Sequence, residues 1–168
     1  MILYLNLLFC FVFNIACPHV NSYKRLHRIR NFIQLVAYGL NSRIPPIRIV
    51  QDNGVSNRLE FRLSDPSVNP YLLYAALMAA GMDGIEKKIE PDPKLNLVDD
   101  LWDKSTPEGI DTLPKYLMEA LNYLKQDRVL VESIGEDVVN GFIAKKKALW
   151  DDYIKEVTKW EESFLESY

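Results

Sequence analysis

The stretch from Arg58 to Leu72 constrains this chain more than any other. Arg58, Glu60 and Arg62 alternate with Leu59, Phe61 and Leu63. A period of two fits an extended strand, and it sends the three charged side chains to one face and the three apolar ones to the other. An Arg-Glu-Arg face is expensive to bury without partners, so the strand needs a polar side and an oily side. Asp65-Pro66 and Asn69-Pro70 then interrupt the chain. Asn69 is a good helix N-cap and Pro70 suits the first helical position. The segment YLLYAALMAA that follows predicts a helix to about Met82, apolar nearly all round and therefore buried on several sides.

Two further strands are predicted upstream, at Gln34–Tyr38 and Ile47–Gln51, and the Asn53-Gly54 turn joins the second to the strand over Asn57–Leu63. Downstream, Glu90–Asp103 reads as an acidic surface loop. Thr112 is positioned to cap a helix from Leu113 to about Lys125, with Leu113, Leu117, Leu121 and Leu124 on one face. Asp127–Ile134 reads as a short turn or helix, and a long helix is expected from Asp137 to Trp160. Strands first and helices afterwards make the fold class α+β rather than doubly wound α/β.

Charge is distributed unevenly. Residues 1–62 hold eight Lys/Arg and two Asp/Glu, whereas the remainder holds twelve and twenty-one. Seven of the eight arginines lie between Arg25 and Arg62. Arginine chosen over lysine favours planar, bidentate contacts to carboxylate or phosphate. The residues by themselves leave two readings open, an anion site or a structural ion-pair cluster. The overall charge of −3 carries no nucleic-acid signature. No glycine-rich phosphate loop is present. Two cysteines, Cys10 and Cys17, make no disulfide framework, and the default reading is a reducing, cytoplasmic setting.

The first sixteen residues, MILYLNLLFCFVFNIA, are apolar. They lack a basic stretch ahead of the apolar run and are short for a membrane span of about 20 residues. A buried strand and a non-native start to the reading frame are the favoured readings, ahead of a signal or anchor. The chain is therefore divided into residues 1–16, an apolar segment of uncertain nature, and residues 17–168, with no membrane association expected. A membrane-tethered helical protein is the reading from another class.

The string RLEFRLSDPSVNPYLLYAALMAAGMDGIEKKI resembles the C-terminal catalytic region of the glutamine synthetase (glutamate–ammonia ligase) family. So do VNSYKRL upstream and Ser42–Ile49, where Arg43 and Arg48 keep the family's spacing. The resemblance runs over roughly residues 17–168. It implies ATP, Mg²⁺ or Mn²⁺, glutamate and ammonia, a γ-glutamyl phosphate intermediate, and a homo-oligomer with sites between subunits. By position it implies that Arg43 and Arg48 contact ATP phosphates and the transferred phosphoryl group. Arg58 then lies along the nucleotide, Arg25 and Arg62 hold glutamate, and Glu60 is a metal carboxylate.

The sequence also departs from the family pattern. Asn31 stands where the family flap has a glutamate, Val50 replaces a proline and Ser42 an asparagine. The strands carrying the family's other metal glutamates and its metal histidine are missing. The expectation is a C-terminal fragment without ligase turnover of its own. The alternative is a non-catalytic relative that binds nucleotide or a partner.

Overall fold

The computed structural model describes residues 12–28, 34–52, 54–90 and 110–165. It is an α+β arrangement with one small sheet and mostly helical mass. In chain order the elements are α1 (Val20–Arg28), β1 (Tyr38–Leu40), β2 (Ile47–Val50), β3 (Arg58–Phe61), α2 (Pro70–Glu86), α3 (Leu117–Gln126), α4 (Arg128–Ile134), α5 (Glu136–Tyr153) and α6 (Lys159–Leu165). The expectations for Asn31, Asn53, Cys10, residues 1–11 and most of the acidic loop fall outside the described residues.

Residues 12–16 are helical, not a strand, and every one of them is buried. Their apolar side chains feed the core directly, and Phe13 meets Tyr23 of α1 edge to face with ring centroids 5.5 Å apart. Helix α1 was not anticipated from the sequence. Its polar residues obscure the buried Tyr23 and Leu26.

The sheet has the order β1-β2-β3. β2 and β3 form the expected antiparallel hairpin, with Ile47 opposite Phe61, Arg48 opposite Glu60 and Ile49 opposite Leu59. β1 runs parallel to β2 and begins later than expected, at Tyr38. The preceding segment pairs elsewhere: Leu35 bridges Thr112, and Val36 N–H donates to Asp111 O at 2.8 Å. Thr112 is thus in an extended pairing rather than at a helix cap. Pro114 explains the shift, because it disfavours helical backbone at Leu113. The helix starts only at Leu117, still burying Leu117, Leu121 and Leu124.

Asn69 caps α2 as expected, its Oδ1 accepting from Tyr71 N at 3.0 Å and Leu72 N at 3.3 Å. The helix continues past Met82 to Glu86. Burial on several sides is not what the structure shows. Leu73, Ala76, Ala80 and Gly84 form a buried stripe against α4, where small residues permit close approach. Tyr71, Tyr74, Met78, Met82 and Ile85 form a second stripe that is exposed.

The long C-terminal helix is broken in two. α5 stops at Tyr153, and Thr158 with Glu161 starts α6 by a reciprocal capping box. Among the described residues no helix is long and apolar enough to cross a membrane.

Candidate functional site

The β2–β3 hairpin places Arg48 directly across from Glu60 on the face away from the apolar side chains. Arg48 Nη1 lies 3.2 Å from Glu60 Oε2. Arg58, two residues along the same strand face, reaches Glu60 Oε1 with Nη2 at 2.7 Å and Nε at 2.9 Å. Glu60 therefore bridges two guanidiniums, one from each strand. Hydrogen bonds from Arg58 hold its carboxyl below the usual range; slight burial opposes this, and Arg48 reinforces it.

Arg62 completes the alternating face. It is half-buried, and its Nη1 donates to Pro45 O at 3.5 Å. Burial pushes its guanidinium down from the ordinary value, Glu60 pulls it back up, and Arg48 and Arg43 push it down again. That mutual influence places Arg43, itself exposed, in the same electrostatic neighbourhood. Two guanidiniums thus share one carboxylate, and Arg62 and Arg43 add their charge nearby. Arginine stays protonated at any working pH, so the face carries surplus positive charge. The backbone beneath it is fixed by strand pairing and by Arg62 N–H donating to Pro46 O at 2.9 Å.

Arg25 lies apart from this group. Its Nη2 donates to Leu63 O at 3.0 Å. Among the described residues no hydrogen bond or ion pair joins it to the Glu60 cluster. It borders a separate cavity of about 570 Å³ with His19, Ser22, Asp65 and Tyr153. Arg48, Arg58, Glu60 and Arg62 therefore gather at the hairpin, Arg43 is tied to them only through its charge beside Arg62, and Arg25 faces a neighbouring cavity.

The sequence reading passed over Asp65. Ser22 and Ser67 hydroxyls both donate to it in short hydrogen bonds, and Ser67 N–H adds another at 2.8 Å. Burial alone works to raise Asp65; the bonds from Ser22 and Ser67 and the nearby Arg25 charge outweigh it and hold the carboxyl below its ordinary value. The Asp-Pro-Ser turn was a readable signal for this. Cys17 donates to Leu63 O at 3.2 Å. Burial pushes its thiol up to about 12, which makes it a structural cysteine rather than a nucleophile.

The residues present do not fit a divalent metal by themselves. Mg²⁺ requires near-octahedral oxygen ligation. Among the described residues Glu60 is the one carboxylate bonded to the cluster, and both its oxygens already accept from guanidiniums. Among the described residues no three His, Cys, Asp or Glu side chains come together in a metal-binding group. An anion suits this face; a cation needs carboxylates from elsewhere.

Comparison with known proteins identifies the family. Residues 9–165 match the sequence model of the family described as glutamine synthetase, catalytic domain. The chain is 38% identical over 154 residues to a glutamine synthetase of Clostridium saccharobutylicum, covering 90% of this chain and 35% of that protein. It is 40% identical over 154 residues to that of Thermus thermophilus, covering 90% of this chain and 34% of that protein. Among solved structures, a GmaS/ADP complex superposes with a TM-score of 0.81 at 32% identity, covering 95% of this chain and 37% of that one. GmaS without ligand gives 0.77 at 37% identity, covering 90% and 34%. The chain spans about a third of the length of the curated relatives it matches. With nearly its whole length inside the family's match, it belongs to the glutamine synthetase catalytic-domain family.

Proposed function

We propose that this chain supplies the anion-binding side of a glutamate–ammonia ligase site. The intact reaction is ATP-dependent ligation of ammonia to glutamate through a γ-glutamyl phosphate, in a cytoplasmic homo-oligomer. The observation that carries this reading is the surplus of guanidinium charge around Glu60 on a paired hairpin. Phosphoryl transfer is catalysed mainly by positioning and by neutralising charge on the transferred group, and fixed arginines do both.

In this reading Arg43 and Arg48 meet the ATP phosphates and the transferred phosphoryl group, and Arg58 lies along the nucleotide. Arg62 takes a glutamate carboxylate, and Arg25 takes another from the neighbouring cavity. Glu60 holds Arg48 and Arg58 at a fixed separation. It turns to metal ligation only when further carboxylates join it, so no step of the reaction is assigned to a metal on these residues. The isolated chain binds nucleotide phosphates and does not turn over.

Calorimetric titration with ATP and ADP tests the reading. A hydrogen bond to a charged group contributes roughly 1.5–3 kcal/mol, so Arg48→Ala weakens binding by about ten- to a hundred-fold. Binding that is absent, or indifferent to Arg48→Ala, refutes it. Growth of a glutamine auxotroph on this chain alone would overturn the expected inactivity.

A second reading, a non-catalytic relative, is favoured by Asn31. A neutral amide cannot take up the proton that a flap glutamate can. Under that reading nucleotide binds, yet adding the family's remaining segment restores no ligation.

A further inference from the structure

The parallel pair β1–β2 ends in an exchange of hydrogen bonds at Asn41. Leu40 lies opposite Ile49, so Asn41 continues the register opposite Val50. In a parallel ladder, a residue placed there donates its N–H to the residue before its partner and accepts at its C=O from the residue after it. Asn41 makes the first bond, its N–H donating to Ile49 O at 2.8 Å. Its side chain makes the second. Gln51 N–H donates to Asn41 Oδ1 at 3.1 Å, and Asn41 Nδ2 donates back to Gln51 O at 3.5 Å.

The main-chain carbonyl of Asn41 is thereby released from the ladder. Asn41 sits at φ 54°, in the left-handed region that asparagine tolerates better than most residues with a side chain. In that conformation its carbonyl meets Arg48, whose Nε donates to it at 3.2 Å. The guanidinium of Arg48 is planar, and it is held at two points, Nε by Asn41 O and Nη1 by Glu60. Glu60 is a side chain shared with Arg58. The carbonyl belongs to backbone pinned on both sides by the β2 strand, so it is the firmer half of the grip. Among the described residues no hydrogen bond holds Nη2 of Arg48, which is the donor left to meet an anion.

We infer that Asn41 is a positioning residue for Arg48: its carboxamide takes over the ladder bond of its own peptide and frees the peptide carbonyl to orient the guanidinium toward a phosphate. The consequence for nucleotide affinity rests on the phosphate-binding reading above; the grip on Nε does not.

Two measurements on the whole chain test this. The first is hydrogen exchange at Arg48 Nε–H by nitrogen-15 NMR, with the signal assigned by its loss in Arg48→Lys. In Asn41→Ala the Gln51 N–H has no side-chain acceptor and reclaims the main-chain carbonyl, so exchange at Nε–H speeds up by about ten-fold, the worth of one hydrogen bond. Asn41→Gly accommodates φ 54° without strain yet lacks the acceptor, and it behaves as Asn41→Ala does. Asn41→Asp keeps the acceptor and keeps the protection. The second is calorimetric titration with ADP. Asn41→Ala weakens binding by about three- to ten-fold, and the same substitution adds no further loss in an Arg48→Ala background. Unaltered Nε–H exchange in the alanine and glycine variants overturns the inference. So does protection retained in Asn41→Gly alone, because backbone conformation and not the carboxamide is then responsible. An equal loss of ADP affinity with and without Arg48 overturns it as well, since Asn41 then acts through the fold at large. A parent chain that binds no ADP refutes the phosphate-binding reading, and the exchange rates alone then decide the role of Asn41.

Discussion

Asp127 offers a sharp test of how polar groups are balanced inside this fold. It is 5% exposed and caps α4, its Oδ1 accepting from Leu130 N at 3.0 Å. Its other oxygen, Oδ2, is buried without a hydrogen-bond partner. An N-cap of this type contributes about 1 kcal/mol, while an unsatisfied buried acceptor costs about 1–3 kcal/mol. Asp127→Ser keeps the cap and deletes the orphan oxygen; Asp127→Ala deletes both. The serine variant should therefore exceed the alanine variant by about 1 kcal/mol. It should also match or exceed the parent at neutral pH. Burial raises the Asp127 carboxyl above its ordinary value and Asp83 adds to this, whereas the hydrogen bond from Leu130, the nearby Val129 N–H and the charge of Lys87 act against it. A raised carboxyl means that the folded state binds the proton more tightly. Its stabilising contribution is complete below the unfolded value of about 3.9 and disappears as pH rises through the folded value. The advantage of Asp127→Ser over the parent should accordingly widen across that window and then level off. Urea unfolding at a series of pH values measures it. With m of about 2 kcal/mol/M, 1 kcal/mol moves the midpoint by about 0.5 M. A serine variant as unstable as the alanine variant, or a gap that narrows with rising pH, refutes the reasoning.

Gly135 joins α4 to α5 at φ 102° and ψ 129°, and a Cβ there would meet nothing within 4 Å. Gly135→Ala should thus lose about 1–3 kcal/mol from backbone strain alone, read as a lowered melting temperature with unchanged secondary structure. Leu124 is fully buried, and Leu124→Ala should lose about 2–5 kcal/mol by calorimetry. Asp65 is held below its ordinary value, so its contribution is present above about pH 3.9 and is lost as pH falls through the folded value. Asp65→Asn should be less stable than the parent at neutral pH, with the difference shrinking during acid titration followed by circular dichroism.

The parts of the fold that were legible in the sequence are those with local physical causes. The alternation at Arg58–Leu63 gave the hairpin face, and Asn69-Pro70 gave the start of α2 through a cap that the backbone requires. Gathering Arg48 and Arg58 around Glu60 followed from the same alternation once β2 was in register. What stayed hidden was non-local. The bridge between Leu35 and Thr112 joins distant segments and displaces both a strand and a helix start. The second apolar stripe of α2 reads as core because composition records oiliness, not whether a neighbour is there to cover it. Arg25 and Arg62 shared an expected role, yet one turns to the cavity beside Asp65 and the other to the hairpin. Sequence spacing carries no information about that divergence.

One carbonyl links those two places. Leu63 O accepts from both Cys17 Sγ and Arg25 Nη2, while Asp65 N–H donates back to Ala16 O at 3.1 Å. The N-terminal helical stretch is thereby stitched to the chain immediately after Arg62. An anion that drew Arg25 away would unfasten one thread of that seam and leave the thiol as the remaining donor, one peptide unit from the hairpin's guanidinium face.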